Sequence, residues 1–147
     1  ALFISSLGDL LLALGWRYFM YGHAEFLAAH IVYTTLFLRA RGKVGRPLFT
    51  TAVVLYGFAL AAYLAPVLGT KLVPLLLYLA AITTMVISAA HSAYPPRLVI
   101  TGAVLFLISD SLIGISRFRH PVPYRHLLVW GTYYAAQFCL ARGILKR

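Results

Sequence analysis

Apolar residues in this chain come in long runs, and most polar residues fall between the runs. A helix needs about 20 apolar residues to cross a bilayer, and on that measure the pattern predicts six spans. They run from Leu2 to Trp16, Phe19 to Leu38, Leu48 to Leu68, Lys71 to Ala93, Arg97 to Phe118 and His126 to Ile144. Prolines punctuate these runs. Pro74 falls in the first turn of the fourth span, where proline is tolerated, and Pro66 lies near the end of the third. Pro95 and Pro96 close the fourth span, and Arg119 to Arg125 (RHPVPYR) is a stiff turn before the sixth. The expected fold class is therefore all-α, a polytopic transmembrane helical bundle forming a single domain over residues 1–147. The first run starts at Ala1, already apolar, and ends about five residues short of a comfortable span, so the chain reads as lacking N-terminal spans.

The three acids break this pattern, because each lies inside an apolar run: Asp9 in the first span, Glu25 in the second and Asp110 in the fifth. An ionised side chain buried in hydrocarbon costs several kcal/mol, so an intramembrane acid is a functional candidate that faces protein rather than lipid. Asp9 precedes Arg17 by eight residues and Asp110 precedes Arg117 by seven, in spans that run the same way. At the helical rise, both sit about 10 to 12 Å inside the same end of the bundle. Two carboxyls at one depth can share a site, or they can tie helices together through serine hydroxyls such as Ser5, Ser6 and Ser109. On the second span, His23, Phe26, His30, Tyr33 and Phe37 share one face, and Glu25 points away from it. On the sixth, Trp130, Tyr133, Tyr134 and Gln137 share a broad face.

Composition agrees with a membrane protein: 62% of residues are hydrophobic and 11% charged, against an apolar share nearer half in a soluble domain. The net charge of +10 raises a nucleic-acid partner, but the basic residues flank spans instead of covering a soluble face, which excludes one. Six spans place the link after the second, the link after the fourth and the C-terminus on one side. That side holds eight of the thirteen basic residues, Arg39, Arg41, Lys43, Arg46, Arg97, Arg142, Lys146 and Arg147. By the positive-inside rule it is cytoplasmic. The expected localisation is an integral, multi-pass membrane protein, in the cell membrane of a bacterium or the endoplasmic reticulum of a eukaryote, with a cytoplasmic C-terminus. Cys139 is the only cysteine, so no internal disulfide forms.

The first two spans also parallel the last two. LFISSLGD (Leu2 to Asp9) matches LFLISD (Leu105 to Asp110), and AAHIVY (Ala28 to Tyr33) matches AAQFCL (Ala135 to Leu140). A parallel repeat places binding sites at the interface between repeats, although two Leu-rich and Ala-rich helices also look alike without any repeat.

The segments SSLGDLLL (Ser5 to Leu12), Gly22 through Phe26 to Tyr33, GAVLFLISDSLIGISRF (Gly102 to Phe118) and TYYAAQ (Thr132 to Gln137) together resemble the YhhN-like lysoplasmalogenases. The resemblance covers nearly the whole chain, and it implies a bundle of about eight spans, some before the first aspartate motif. It also implies an enzyme that hydrolyses the vinyl ether bond of lysoplasmalogen to a fatty aldehyde and glycerophosphoethanolamine or glycerophosphocholine. Asp9 and Asp110 would be its two membrane aspartates. His30, Tyr134 and Gln137 would be further polar motif residues, with Tyr33 and Ser109 beside them. Glu25 departs from the family pattern, where an apolar or small residue is usual.

The chemistry so implied explains the carboxyls. A vinyl ether resists base and yields to acid: protonation of its outer alkene carbon gives an oxocarbenium ion that water attacks. Two close carboxyls in a low-dielectric site cannot both ionise readily, so one holds a proton while the other stays charged. Glycosidases divide the work in the same way. Asp110 is expected to give the proton and Asp9 to stabilise charge or activate water, in an assignment that can be reversed. His30, Tyr33, Ser109, Tyr134 and Gln137 would position water or head group, and Arg117 or Arg125 would meet the phosphate. The expected partners are a lysophospholipid substrate and membrane lipids. No cofactor and no metal is required, though His23, His30 and His91 raise a zinc site as an alternative. Intramembrane acids also serve proton relays, so a proton-coupled transporter or channel is the rival function. A lipid-binding scaffold is a third. An intramembrane aspartyl protease fits poorly, since the chain lacks its GxGD and PAL signatures.

Overall fold

The computed structural model describes residues 19–42 and 45–146, with side chains from Phe26 onward. It is all-helical. Five α-helices follow in order: α1 Phe19–Arg39, α2 Pro47–Leu68, α3 Leu72–Ala90, α4 Pro96–Phe118 and α5 Arg125–Leu145, with a short 3-10 turn Gly69–Lys71 between α2 and α3. The first predicted span, with Asp9, Ser5 and Ser6, lies outside the described residues, and with it the LFISSLGD segment of the proposed repeat. The side chains of His23 and Glu25 lie outside them too.

Sequence punctuation sets the helix ends. Pro47 and Pro96 each occupy the first helical position, where a missing N–H costs nothing. Gly69 ends α2 at φ 50°, a conformation in which a side chain is strained. The fourth predicted span was drawn three residues too long: α3 stops at Ala90 because the next residues bond elsewhere. The Gly42 N–H donates to the His91 carbonyl at 2.8 Å and the Ala93 N–H to the Ala40 carbonyl at 2.6 Å. Arg46 Nε adds a bond to the Ala90 carbonyl at 3.1 Å. This latch joins the end of α1 to the end of α3, so the two helices run parallel.

The other neighbours run antiparallel. Gly57 of α2 packs against Thr83 of α3, and Gly102 of α4 against Leu140 of α5. Successive helices therefore alternate in direction. Two stretches, Pro47–Ala90 and Pro96–Phe118, are long and apolar enough to cross a membrane. Their outward faces carry Leu48, Leu55, Phe58, Val73 and Leu77 exposed, an apolar coat that water would not favour and a bilayer would.

The main core joins α1, α3, α4 and α5 through Phe26, Tyr33, Ile82, Met85, Phe106 and Leu140. Its tightest seam is α4 against α5. A Cβ on Gly102 would stand 2.9 Å from the Leu140 nitrogen and 3.0 Å from the Ala136 oxygen, both backbone atoms. Small residues let helix backbones approach in this way where lipid removes the usual hydrophobic drive. Gly102→Ala should therefore cost about 1 to 3 kcal/mol of stability by overpacking, read by thermal unfolding in detergent. Gly131→Ala, in open space on α5, should be neutral or gain up to about 1 kcal/mol. Equal melting points for the two variants would contradict the close seam.

Candidate functional site: a carboxyl held by a tyrosine and a histidine

Asp110 lies midway along α4 and faces the space between α1, α2 and α3, with 8% of its side chain accessible. Two side chains converge on one of its oxygens. The Tyr78 hydroxyl of α3 donates to Oδ2 at 2.6 Å, and Nε2 of His30 on α1 lies 3.5 Å from the same oxygen. Oδ1 receives no hydrogen bond from the described residues and keeps some accessible surface. The two carboxyl oxygens are thus distinct, one fixed by protein and one open.

His30 has no accessible surface. Its ring is boxed by Tyr78 and Phe106, both edge-on, with centroids at 5.3 Å and 4.9 Å. Phe106 in turn meets Phe26 and Tyr133 edge-on. Neither ring nitrogen of His30 makes a well-formed hydrogen bond among the described residues, and the Phe26 carbonyl one turn back is its backbone neighbour. The face predicted for α1 holds from Phe26 through His30 and Tyr33 to Phe37, all buried.

Asp110 also lines a small cavity, together with Leu64 of α2, Tyr78 and Ile82 of α3, and Leu107 and Gly114 of α4. Its volume is about 30 Å³, room for about one water beside Asp110.

Tyr33 and Gln137 form a second polar group. The Tyr33 hydroxyl donates to Gln137 Oε1 at 2.8 Å, and Gln137 Nε2 donates to the Tyr133 hydroxyl at 3.2 Å. Both ends of the Gln137 amide are therefore used within the protein. Tyr133 touches Phe106, so this group supports the box around His30.

Three expected residues stand apart from Asp110. Ser109 turns to α5, where its hydroxyl donates to the Val129 carbonyl at 3.2 Å. Tyr134 is 60% exposed and stacks on Trp130, since one helical step from buried Tyr133 points it outward. Arg117 lies near the end of α4, close enough to Arg125 for their like charges to act on each other. His91 lies beyond the end of α3 with Nε2 at 2.9 Å from the Thr50 hydroxyl, while His30 lies mid-helix. No group of three or more potential metal ligands occurs among the described residues.

Tyr78 was not singled out from the sequence. Its signal was present: a hydroxyl in the middle of LVPLLLYLAAI, away from the membrane interface where tyrosines usually anchor.

Comparison with known proteins adds a family. The sequence model of the YhhN family matches residues 1–144. A lysoplasmalogenase of Mycobacterium bovis is 32% identical over 97% of this chain and 58% of its own length. Lysoplasmalogenase TMEM86A of Bos taurus is 29% identical over 99% of the chain and 63% of its own length. Lysoplasmalogenase TMEM86B of Rattus norvegicus is 32% identical over 99% and 60%. The chain spans about three fifths of the length of these curated relatives. No solved structure matches it.

If Tyr78 holds Asp110, the two should be coupled energetically. Tyr78→Phe should cost about 1 to 3 kcal/mol by leaving a buried acceptor short of its donor. Combined with Asp110→Asn, the losses should fall short of additivity by about 0.5 to 3 kcal/mol in a double-mutant cycle of thermal unfolding. Strict additivity would mean that the bond carries nothing.

Proposed function

Because the chain belongs to the YhhN family, we propose that the protein is a multi-span membrane hydrolase that cleaves the vinyl ether bond of a lysoplasmalogen. Asp110 is its proton donor. The observation that carries this reading is the asymmetry of the Asp110 carboxyl. Tyr78 donates to Oδ2, which supports Oδ2 as the acceptor and Oδ1 as the oxygen that carries the acidic proton, in a carboxyl that lines the cavity.

The steps follow from the substrate. Oδ1 gives its proton to the outer alkene carbon, and the double bond's electrons form the new C–H bond. The carbon next to the ether oxygen becomes an oxocarbenium ion. The resulting carboxylate lies close to that cation and stabilises it, with Tyr78 and His30 spreading its charge. Water adds to the cation and loses a proton to a carboxylate, giving a hemiacetal that collapses to aldehyde and alcohol. Asp9 is the partner carboxylate in this reading. Asp9 takes the proton from water and passes it back to Asp110 as the hemiacetal collapses, so the overall change adds one water across one bond and both carboxyls end as they began.

The remaining expected residues take supporting parts. His30 and Tyr78 orient the carboxyl, and Tyr33 and Gln137 hold the aromatic box behind them. Ser109 fixes α4 against α5. Arg117 and Arg125 are cations for the head-group phosphate, and Tyr134 meets surrounding lipid. The six predicted spans, counting the one before α1, cross the membrane with the C-terminus and the link after α1 on the cytoplasmic side.

Purified full-length protein in nanodiscs, given a lysoplasmalogen or its saturated-ether analogue and followed by mass spectrometry, tests this directly. Aldehyde should form from the vinyl ether alone. Asp110→Asn and Asp9→Asn should each lose about 10² to 10⁴ of turnover in proteins that melt normally, the usual worth of a positioned acid or base. Full turnover in Asp110→Asn would sink the assignment. With no aldehyde from the wild type, and with pH-driven flux in proteoliposomes, Asp110 would belong to a proton-coupled transporter instead. Arg117→Ala should raise KM more than it lowers kcat, and an unchanged KM would remove Arg117 from phosphate binding.

A further inference from the structure

The bundle is fastened unevenly. α4 and α5 meet backbone to backbone at Gly102, and the first half of α2 joins the main core through Phe49 and Val53, whereas its second half meets α3 and α4 along a separate seam. That seam consists of Leu60, Leu64 and Leu68 against Leu72, Leu75 and Ile115, a cluster separate from the main core. Two polar ties fasten it. The Tyr56 hydroxyl donates to Ser111 Oγ at 2.8 Å, and Arg119 Nε donates to the Tyr63 carbonyl at 2.8 Å. The Arg119 guanidinium also covers the Tyr63 ring at 4.6 Å.

The cavity beside Asp110 lies in this seam. Its lining includes Leu107, Asp110, Ser111 and Gly114 of α4, and its walls apart from Asp110, Tyr78 and Ser111 are aliphatic or glycine. At about 30 Å³ it holds about one water with the seam closed, so a hydrocarbon chain enters only as the seam widens. Gly114 follows Asp110 by one helical turn on the same face. Unlike Gly102, it is not demanded by a close backbone: a Cβ there would meet only Leu64 Cδ1, at 3.5 Å, an ordinary contact. What the glycine provides is open space next to the carboxyl.

We propose that this seam seats the hydrocarbon chain of the lipid substrate, with Gly114 setting its bore and α2 acting as its movable wall. The inference rests on Asp110 being the acid of a lipid hydrolase. An aliphatic slot with a carboxyl set in its wall matches an alkyl chain carrying its reactive double bond at the head-group end. Parting the second half of α2 from the bundle exchanges leucine contacts for lipid contacts, which are equally apolar, so the cost of the movement in a bilayer lies in the two polar ties. Charge gives the direction. Lys71, Arg117, Arg119 and Arg125 cluster at the end of the seam near Phe118, while the end at Leu60, Ile82 and Leu107 is apolar. The phosphate sits at the basic end, about 12 Å from Asp110 along α4, and the chain points away from it.

The test uses the full-length protein in nanodiscs and a saturated-ether lysophosphocholine carrying a diazirine halfway along its chain, which binds without being cleaved. After irradiation, mass spectrometry should find label on Leu60, Leu64 or Leu107. Gly114→Leu should lower that labelling about tenfold and confine vinyl ether turnover to shorter chains. Gly114→Ala, which the space accepts without moving backbone, should melt like the wild type and shift the chain-length profile less in the same direction, so it decides the matter if Gly114→Leu fails to fold. Label confined to outward residues such as Leu55 or Phe138 overturns the proposal, as does undiminished labelling in a folded Gly114→Leu protein. Seam labelling without aldehyde from the natural substrate supports the chain seat and removes the hydrolase. Aldehyde formation with label elsewhere does the reverse.

Discussion

A carboxyl placed among hydrocarbon side chains must be given hydrogen-bond partners, and meeting that requirement organises the centre of this molecule. Leaving an acid unpartnered in such surroundings costs several kcal/mol, more than most single contacts return. The Tyr78 hydroxyl from α3 bonds Oδ2 of Asp110 and so fixes the relative height of α3 and α4, with His30 of α1 3.5 Å from the same oxygen. Leucine packing could not do this, since one leucine slides past another at little cost, whereas a 2.6 Å hydrogen bond has one position. The aromatic box then follows. Phe106 packs edge-on against His30, Phe26 and Tyr133 pack in turn against Phe106, and Gln137 is itself held by two tyrosines behind that box.

Around this centre the helices divide into a rigid part and a looser one. Gly102 and Gly143 let α4 and α5 come so close that a Cβ at Gly102 would stand 2.9 Å from the Leu140 nitrogen and one at Gly143 2.7 Å from Val99 Cγ1. The latch from residues 40–42 to residues 91–93 fixes α1 and α3 at one end. α2 is tied to the latch at its start through Arg46 and Thr50, and Phe49 and Val53 pack into the main core. From Leu60 onward it depends on three leucines and the tie from Arg119 to Tyr63. Asp110 stands where the close-packed part of the bundle meets this looser half.

Much of this was legible in the sequence, and the limits have a physical pattern. Residues at helical spacing on one face, such as Phe26, His30, Tyr33 and Phe37, are inside together because period alone fixes their direction. Asp110 stood out because its chemistry conflicts with its surroundings. Pairings across helices were another matter. Ser109 is adjacent to Asp110 in sequence, yet a helical step of about 100° sends it to α5, and the same step separates exposed Tyr134 from buried Tyr133. Tyr78 went unnoticed because a tyrosine among leucines raises no conflict by itself. Its role exists only once α3 is set beside α4. The end of α3 was misjudged for a similar reason: nothing local forbids helix at His91 and Ser92, and the bonds that stop it come from residues about fifty positions earlier.

The division of the Asp110 carboxyl has a further consequence for the kind of reaction the site can support. An acid that only protonates an oxygen lone pair can approach from many directions. Protonating an alkene carbon requires the O–H to meet the face of the double bond, so the donor's oxygen must be held and the donor's partner must not compete for the proton. If Asp110 is the acid, Tyr78 meets both demands, because a hydroxyl that donates to Oδ2 fixes the plane of the carboxyl and leaves Oδ1 without a hydrogen bond from the described residues. His30, 3.5 Å from Oδ2, would then be a polar neighbour of the carboxylate left after proton transfer. A carboxyl present only to join helices would gain by bonding through both oxygens, and here one is left open.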